Sequence, residues 1–331
     1  MMIVDAHLDL SYNAVLRGRD VTKPASEQPI ADNEIATVGL PDLRAGGVGL
    51  ICATIFCSPK SYGKKEGYTT AEEAHAQAIK QYEWYQKQWD AEELRLVTRA
   101  EELPERAERP VRTILLLEGA DAFRTPEDVA AWHARGLRLV GLSWRGTRMA
   151  GGTGVPGPIS AEGKAVVREM DRLGMIHDIS HLADEAFWNL MEMTDGPVMA
   201  SHSNCRAIVP DDRQITDEMI REIARRDGVI GINFYDQFLV PHEEYKKRPC
   251  TLMDVVAHAK KICDATGGAQ YVALGTDMDG GVGRDDVPGE LRTIRDLPKV
   301  AEALSSAGFS DADVAGVMGG NWLRFFRKNL R

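Results

Sequence analysis

The sequence predicts an α/β fold, a (β/α)8 barrel of the TIM type, from three observations. Eight apolar segments of strand length recur along the 331 residues, nearly all of them are followed by a segment with helix signals, and no linker composition divides the chain. Strands that are apolar on both faces belong in a parallel sheet covered by helices, and eight such units make one barrel. We therefore treat residues 1–331 as a single domain, with additional helices at the C-terminal end.

The first half of the chain supplies four of the predicted strands. After the first strand, residues 17–37 are polar and predict a long loop, and residues 41–47 predict a short helix that stops at glycine. The sequence Thr70-Ala71-Glu72-Glu73 resembles a capping box and starts a helix that continues to about Trp89. A further helix begins at Thr125-Pro126-Glu127. The strands of this half are predicted at residues 3–9, 48–56, 111–117 and 137–142.

The second half alternates helices and strands at shorter intervals. Residues 143–160 are rich in glycine and contain two prolines, which predicts a mobile loop of the kind that covers active sites. Helices are predicted over residues 161–173, 184–193, 216–227 and 251–265, with terminal helices over 297–307 and 311–328. The remaining strands are predicted at residues 175–181, 197–202, 229–234 and 271–277.

Composition excludes several classes of partner. A formal net charge of -10 argues against nucleic acid, which needs a clustered basic face, and favours a small molecule or a metal. No apolar run reaches the ~20 residues of a membrane span, and the N-terminus lacks a secretory signal pattern, so we predict a cytoplasmic protein without a membrane partner. The cysteines lack CxxC spacing, which predicts neither a disulfide framework nor a zinc–thiolate site. They are Cys52, Cys57, Cys205, Cys250 and Cys263.

Metal-type donors stand at the ends of five predicted strands. In the first strand His7 and Asp9 share one face, because side chains alternate with period two. Barrel enzymes carry their sites at the C-terminal ends of strands, and imidazole and carboxylate are both zinc ligands. Taken singly, Glu118 fits a helix cap, His181 a core position and Asp277 a turn; taken together, the set favours a metal site. The donors are His7, Asp9, Glu118, His181, His202 and Asp277.

This donor set is large enough for two metal ions about 3.5 Å apart. Glu118, the single donor at the end of its strand, is predicted to bridge them. The predicted ligands are His7 and Asp9 on one ion and His181 and His202 on the other.

The predicted chemistry is hydrolytic. A water held between two divalent ions loses its proton near neutral pH, which yields a bridging hydroxide as the nucleophile. Asp277 is placed to take that proton and pass it to a leaving group. The other histidines are expected elsewhere, His177 in the wall or behind the ligands, and His75, His133 and His258 on helix surfaces.

The motifs that carry these donors resemble those of the membrane (renal) dipeptidase family within the amidohydrolase superfamily. The resemblance runs from residue 3 to about residue 326, with the motifs in family order, and implies an amidohydrolase-type barrel. It also implies a binuclear zinc dipeptidase, often tolerant of a D-residue at the C-terminal position. The matching segments are Val-Asp-Ala-His-Leu-Asp-Leu at residues 4–10, the stretch at 41–49, Leu117-Glu118-Gly119, Asp178-Ile179-Ser180-His181, Ser201-His202-Ser203-Asn204 and Gly275-Thr276-Asp277-Met278-Asp279-Gly280.

The resemblance adds two substrate-binding residues. Arg213 matches the family arginine that binds the substrate carboxylate, a task that suits a planar guanidinium because it can donate two parallel hydrogen bonds. Trp144 stands where the mammalian members carry a histidine near the scissile carbonyl, and it offers an indole N–H donor but no titrating group. The implied partner is a small dipeptide with a free C-terminal carboxylate.

Two other interpretations stay open on the sequence alone. One keeps the metals but changes the bond, so that the substrate is an N-acyl amino acid, a lactam or a lactone. The other is a non-catalytic barrel that binds metal. Side-chain preference, the physiological metal and the oligomeric state, with a homodimer as one alternative, are also left open.

Overall fold

The computed structural model describes residues 1–62 and 67–331. Within these residues the strands are β1 (Ile3–Leu8), β2 (Val48–Phe56), β3 (Leu94–Leu96), β4 (Val111–Glu118), β5 (Leu137–Gly141), β6 (Ala150–Gly152), β7 (Val155–Ile159), β8 (Ile176–Asp178), β9 (Val198–Met199), β10 (Ile230–Ile232) and β11 (Val272–Leu274).

Helices cover the outside of the strands. In chain order they are α1 (Leu10–Leu16), α2 (Leu40–Ala45), α3 (Ala71–Asp90), α4 (Asp128–Ala134), α5 (Ala161–Arg172), α6 (Asp184–Met193), α7 (Asp217–Arg225), α8 (Asp236–Leu239), α9 (His242–Tyr245), α10 (Leu252–Thr266), α11 (Pro298–Ser306), α12 (Asp311–Ala315) and α13 (Asn321–Asn329). The predicted capping box at Thr70 is present at the start of α3. Among the described helices, none combines the length and the apolar character needed to cross a bilayer.

Eight of the strands form a parallel barrel. Their order is β10-β11-β1-β2-β4-β5-β8-β9, and a parallel bridge between Ala200 and Ile230 joins the two ends of this row. The first and last strands of the chain are neighbours, with Asp5 opposite Leu274. The predicted (β/α)8 barrel is confirmed, and so are the additional C-terminal helices.

Several strands are shorter than the sequence predicts. β8 ends at Asp178 and β11 at Leu274, whereas the patterns extended them to residues 181 and 277. The backbone turns before the predicted ends, since His181 and Asp277 have positive φ angles of 68° and 60°. These two donors therefore lie in loops beyond the strands.

The glycine-rich segment at residues 143–160 is more ordered than predicted. It contains β6 and β7, which pair antiparallel with Ala150 opposite Ile159. The sequence also missed β3, which pairs with the first residues of β4. Strands of three to five residues carry too few positions to show the alternation that identifies longer strands.

The C-terminal helix α13 closes the amino end of the barrel. Its Trp322 is fully buried, stacks on Phe326 with ring centroids 5.5 Å apart, and donates its indole N–H to the Leu274 carbonyl at 2.8 Å. Both rings belong to an apolar cluster with strand residues of the barrel, among them Val4, Leu50, Ile114, Leu139, Ile176 and Ala273. The floor of the barrel is therefore made by a helix that lies outside the eight βα units.

We expect Trp322→Ala to lower the free energy of unfolding by ~3–5 kcal/mol, because it leaves a large cavity in the barrel floor. Urea unfolding followed by far-UV circular dichroism measures the change. Arg327→Ala, on the exposed face of the same helix, is the matched control and should change stability by less than ~0.5 kcal/mol. Equal destabilisation by the two substitutions would show that α13 does not close the core.

Candidate metal centre

The six predicted donors meet at the carboxyl end of the barrel. Two lie in strands, and the other four lie in loops that follow a strand. The register between β1 and β2 shifts between Asp5 and Leu8, an irregularity of the bulge type that often lies beside active sites. The strand donors are His7 and Glu118, and the loop donors are Asp9, His181, His202 and Asp277.

Glu118 lies at the centre of the cluster. Its Oε2 is 3.4 Å from His7 Nε2, and its Oε1 is 3.1 Å from His181 Nε2 and 3.5 Å from His202 Nε2. The two oxygens of one carboxylate therefore face two different sets of imidazole nitrogens. This is the arrangement predicted for a bridging ligand.

The ring nitrogen of His7 tests whether a cation fits. His7 is fully buried, and its Nε2 has no hydrogen-bond partner among the described residues. Carboxylate oxygens of Asp9 and Asp277 lie 3.5 Å and 3.9 Å from it, in addition to Glu118. A buried nitrogen surrounded by oxygens at these distances fits a metal ion between them better than direct hydrogen bonds.

The potential ligand atoms fall into groups of the right size. Three sets of three residues each have donor atoms within 4.8 Å of one another, and Glu118 belongs to two of the sets. These sets offer imidazole nitrogen and carboxylate oxygen as donors and no sulfur, a combination that suits zinc and related divalent ions. The sets are His7, Asp9 and Glu118; Glu118, His181 and His202; and His7, His202 and Asp277.

Burial and neighbouring charges shift the pKa values of His7 and Asp277. Burial disfavours the charged form of His7, but the carboxylates of Glu118 and Asp9 outweigh it and raise the pKa of this imidazole well above its ordinary value. Burial, reinforced by the charges of Asp9 and Glu118, raises the pKa of Asp277 to about 8. Both shifts favour a proton on the cluster at neutral pH, and a bound divalent cation would compensate the same carboxylates in place of these protons.

A buried carboxylate holds the loop that carries Asp277. Asp277 and Asp279 both have positive φ, 60° and 65°. The carboxylate of Asp279 accepts hydrogen bonds from Thr37 N–H and Oγ1 at 2.7 and 2.8 Å and from Val38 N–H at 2.8 Å. It also lies 3.2 Å from Arg19 Nη1. These contacts fix a backbone conformation that asparagine and aspartate tolerate better than most residues.

Arg213 reaches the site from the loop after β9. It is 2% exposed, and its Nη2 donates to the His202 carbonyl at 2.6 Å while Nη1 donates to Ser203 Oγ at 3.3 Å. The guanidinium carbon lies 5.4 Å from the centre of the Phe238 ring. Its Nε has no partner among the described residues, so the group retains donor capacity at the edge of the cavity.

The cavity above the donors is small and has an aromatic wall. Its volume is about 230 Å³, below the ~300–1,000 Å³ of pockets that hold drug-sized ligands. Trp144 contacts Phe56 edge to face at 5.0 Å and lies 6.3 Å from the His181 ring. The structure thus brings Trp144 and Arg213 to the same cavity as the donors. Further aromatic lining comes from Tyr12, Tyr235 and Phe238.

Comparison with known families assigns the chain to a class of enzyme. The family model described as membrane dipeptidase, peptidase family M19, matches residues 1–330. The chain belongs to the M19 dipeptidase family. By family it is a metal-dependent dipeptidase, a hydrolase, and the amidohydrolase-type barrel expected from the resemblance agrees with this assignment.

Curated relatives share about a third of the aligned residues. An uncharacterized Klebsiella pneumoniae protein from the pqqA 5′ region is 30% identical over 232 residues, which are 67% of this chain and 83% of that protein. An uncharacterized dipeptidase of Schizosaccharomyces pombe is 33% identical over 169 residues, 51% of this chain and 40% of its own length. Dipeptidase aclJ of Aspergillus oryzae is 32% identical over 168 residues, which are 51% of this chain and 38% of that protein. The alignments thus span less than half of each fungal relative.

Solved structures of M19 proteins share the fold over the whole chain. The dipeptidase AC, a metallopeptidase of family M19, superposes with a TM-score of 0.85 at 21% identity, covering 100% of this chain and 99% of that one. A metallopeptidase from Rhodobacter sphaeroides, liganded with a phosphinate mimic of L-Ala-D-Ala, gives a TM-score of 0.82 at 21% identity with the same coverage. At this identity the superpositions establish the fold.

Two histidines of this M19 dipeptidase lie elsewhere than predicted. His177 does not reach the wall of the cavity, since its Nε2 lies 2.8 Å from Asp171 Oδ1 of α5. His258, expected on a helix surface, is fully buried. Its Nδ1 accepts the Cys205 N–H at 3.0 Å, and its Nε2 donates to the Leu239 carbonyl at 3.1 Å. It therefore joins the loop after β9 to the end of α8.

Sequence reasoning missed the residues that hold the donors in place. Asn233 donates to Asp277 Oδ2 at 2.9 Å, and Asp5 accepts from the Thr276 N–H and hydroxyl at 2.9 and 2.6 Å. The available signal was Asp5 itself, a charged residue inside an apolar strand, because buried charges persist only with partners.

The buried His258 should make the stability of the M19 dipeptidase pH-dependent. Burial lowers the pKa of its imidazole from 6.5 to about 4, so below the ordinary pKa the unfolded state gains a proton that the native state lacks. Stability contributed by this group is present above about pH 6.5 and is lost as the pH falls toward about 4. We expect a loss of ~2 kcal/mol between about pH 7.5 and about pH 5.

Urea unfolding at several pH values, compared with His258→Asn, measures this contribution. The variant keeps an acceptor for the Cys205 N–H but has no titrating ring, so its stability should fall less steeply with pH. Parallel pH profiles of the two proteins would contradict the assignment.

Proposed function

We propose that the protein is a binuclear zinc dipeptidase that hydrolyses small dipeptides with a free C-terminal carboxylate. The observation that carries the proposal is the double contact of Glu118, whose two oxygens face separate sets of imidazole nitrogens. A single metal ion would need only one of these sets.

In this proposal each ion has its own ligands. His7 and Asp9 would hold one ion, His181 and His202 would hold the other, and Glu118 would contribute to both. When bound, the two ions polarise the scissile carbonyl and lower the pKa of the attacking water toward neutrality. Two observations support this: in the described part of the chain the Nε2 of His7 has no hydrogen-bond partner, and three carboxylates lie within 3.9 Å of it.

Arg213 is proposed to bind the substrate carboxylate. It is buried beside the His202 loop and faces the same cavity as Asp277, and its Nε has no hydrogen-bond partner within residues 1–62 and 67–331. A carboxylate placed against it would form charge-assisted hydrogen bonds and fix which end of the dipeptide enters the site. This selects dipeptides over longer peptides, because the carboxylate must lie close to the scissile bond.

Asp277 is proposed to carry the proton. Its side chain lies 3.9 Å from His7 Nε2 through one oxygen and accepts from Asn233 through the other. This geometry leaves the first oxygen directed at the reaction centre, where it takes the proton of the attacking water and gives it to the departing amine. Trp144 supplies bulk beside His181 in place of a titrating group.

The size of the cavity and the fold neighbours guide the choice of substrates. About 230 Å³ suits two small residues. Since the Rhodobacter sphaeroides neighbour was liganded with a mimic of L-Ala-D-Ala, L-Xaa-D-Xaa dipeptides belong in the substrate panel beside L-L dipeptides.

Zinc-loaded protein should release amino acids from dipeptides of this panel, and chelation should abolish the release. Asp277→Asn removes the proton carrier but preserves shape, so kcat should fall ~10²–10⁴-fold with bound zinc retained. Amino-acid release and zinc content are measured on the same samples. Asp285→Asn, at an exposed carboxylate outside the cavity, is the control and should keep full activity.

No cleavage of any dipeptide by protein with two bound zinc ions would contradict the proposed substrate class. The same preparation would then be tested on N-acyl amino acids, lactams and lactones, the alternative that keeps the metals.

Arg213→Lys should raise KM ~10–100-fold, because the fork of charge-assisted hydrogen bonds is replaced by a point charge. A dipeptide and its C-terminal amide separate this effect from general damage: the native enzyme should prefer the free carboxylate strongly, and the variant should lose most of that preference. Arg221→Lys, on the exposed face of α7, is the matched control. An unchanged preference in Arg213→Lys would assign carboxylate binding to another residue.

A further inference from the structure

A single serine hydroxyl lies between two of the proposed metal ligands. Ser201 is fully buried, and its Oγ lies 2.7 Å from His202 Nδ1 and 3.3 Å from His7 Nδ1. The same oxygen lies 2.5 Å from Asp178 Oδ2. His7 belongs to β1, which is not a neighbour of β8 or β9 in the barrel, so this contact crosses the interior.

The hydrogen of this hydroxyl can be placed from its partners. A carboxylate oxygen only accepts, and the contact with Asp178 is the shortest that Ser201 makes, so the hydroxyl donates to Asp178. Asp178 is held for this purpose, since its other oxygen accepts the N–H groups of Ser180 at 3.1 Å and Ser201 at 2.8 Å. Two lone pairs remain on the serine oxygen, one for each imidazole.

Each imidazole must then present a hydrogen at Nδ1. A neutral imidazole carries one N–H, so a proton at Nδ1 leaves the lone pair on Nε2. The Nε2 atoms of His7 and His202 are the ones that face Glu118. Ser180 Oγ is a further contact of the serine oxygen, at 3.3 Å. Because Ser180 Oγ also contacts the His202 N–H at 3.1 Å and Ser203 Oγ at 3.2 Å, the imidazoles are the nitrogen partners of the Ser201 hydroxyl.

We propose that Ser201, oriented by Asp178, is a positioning residue that fixes the ring tautomers of His7 and His202 together. The inference rests on the proposed two-metal function, in which these histidines bind different ions. The Ser201 hydroxyl would then orient one histidine ligand at each of the two metal positions. Hydrogen-bond partners of metal-ligating histidines fix the ring orientation and the tautomer in this way.

The third histidine has a separate partner, which provides a matched comparison. His181 Nδ1 lies 3.0 Å from Thr153 Oγ1, in the turn between β6 and β7. Among the described hydrogen bonds of the Thr153 side chain, none reaches His7 or His202, so its effect should be confined to one metal position. Ser201 should affect both.

Zinc titration of the full chain against a chromophoric chelator tests this difference. Native protein should bind two zinc ions. Ser201→Ala should weaken both binding constants ~10–100-fold, whereas Thr153→Val should weaken one of them by a similar factor and leave the other unchanged. Weakening of a single ion in Ser201→Ala, or of both in Thr153→Val, would overturn the proposal.

Asp178→Asn provides a second variant in case Ser201→Ala fails to fold. Its amide keeps the shape of the carboxylate but puts an N–H toward the serine oxygen, which turns the hydroxyl hydrogen toward the nearer ring, His202. The zinc ion held by His202 should bind more weakly, and two unchanged constants would contradict the proposal. Failure of the native protein to bind two ions would instead contradict the proposed function, so the two failures are distinguishable.

Discussion

The carboxylate of Glu118 is the contact on which the rest of the site depends. Glu118 ends β4, and its two oxygens lie 3.1–3.5 Å from imidazole nitrogens of three histidines. His7 belongs to β1, and the other two histidines lie in the loops that follow β8 and β9. Such convergence requires a closed ring of parallel strands, because only closure brings β1, β8 and β9 to face β4 at the same level. Barrel closure and metal binding are thus linked through one side chain.

Buried negative charge is the second constraint. Asp9, Glu118 and Asp277 stand around His7, while Asp178 lies behind His202 and Asp279 lies beneath the loop. Arg19 compensates Asp279, but the carboxylates at the mouth face imidazoles and each other. Charges buried in this way persist only when paired or metal-bound, which explains why the polar layer is confined to one end of an apolar barrel.

The sequence predicted the barrel, and the six donors that it singled out lie together at one end of it. Both results rest on local patterns, apolar segments of strand length and polar residues at their ends. It could not predict how early β8 and β11 end, since this depends on left-handed turns at His181 and Asp277. Nor could it find the partners of Ser201 or Asp279, which come from distant segments that meet only in the folded barrel. The prediction that His258 lies on a helix surface was wrong for the same reason. A position within a helix does not reveal whether another segment packs against that face of the helix.

The pairing of β1 with β11 and the position of α13 constrain how the chain acquires its structure. Asp5 lies opposite Leu274, and Trp322 fills the floor beneath both strands. During synthesis the first strand is therefore complete long before β11, one of its two neighbours, or the helix beneath it. Contacts of such large sequence separation slow folding, and the growing chain exposes Val4 and Leu50 until the end. Unfinished chains of this enzyme therefore expose apolar strand surface that favours aggregation until the last helix is present.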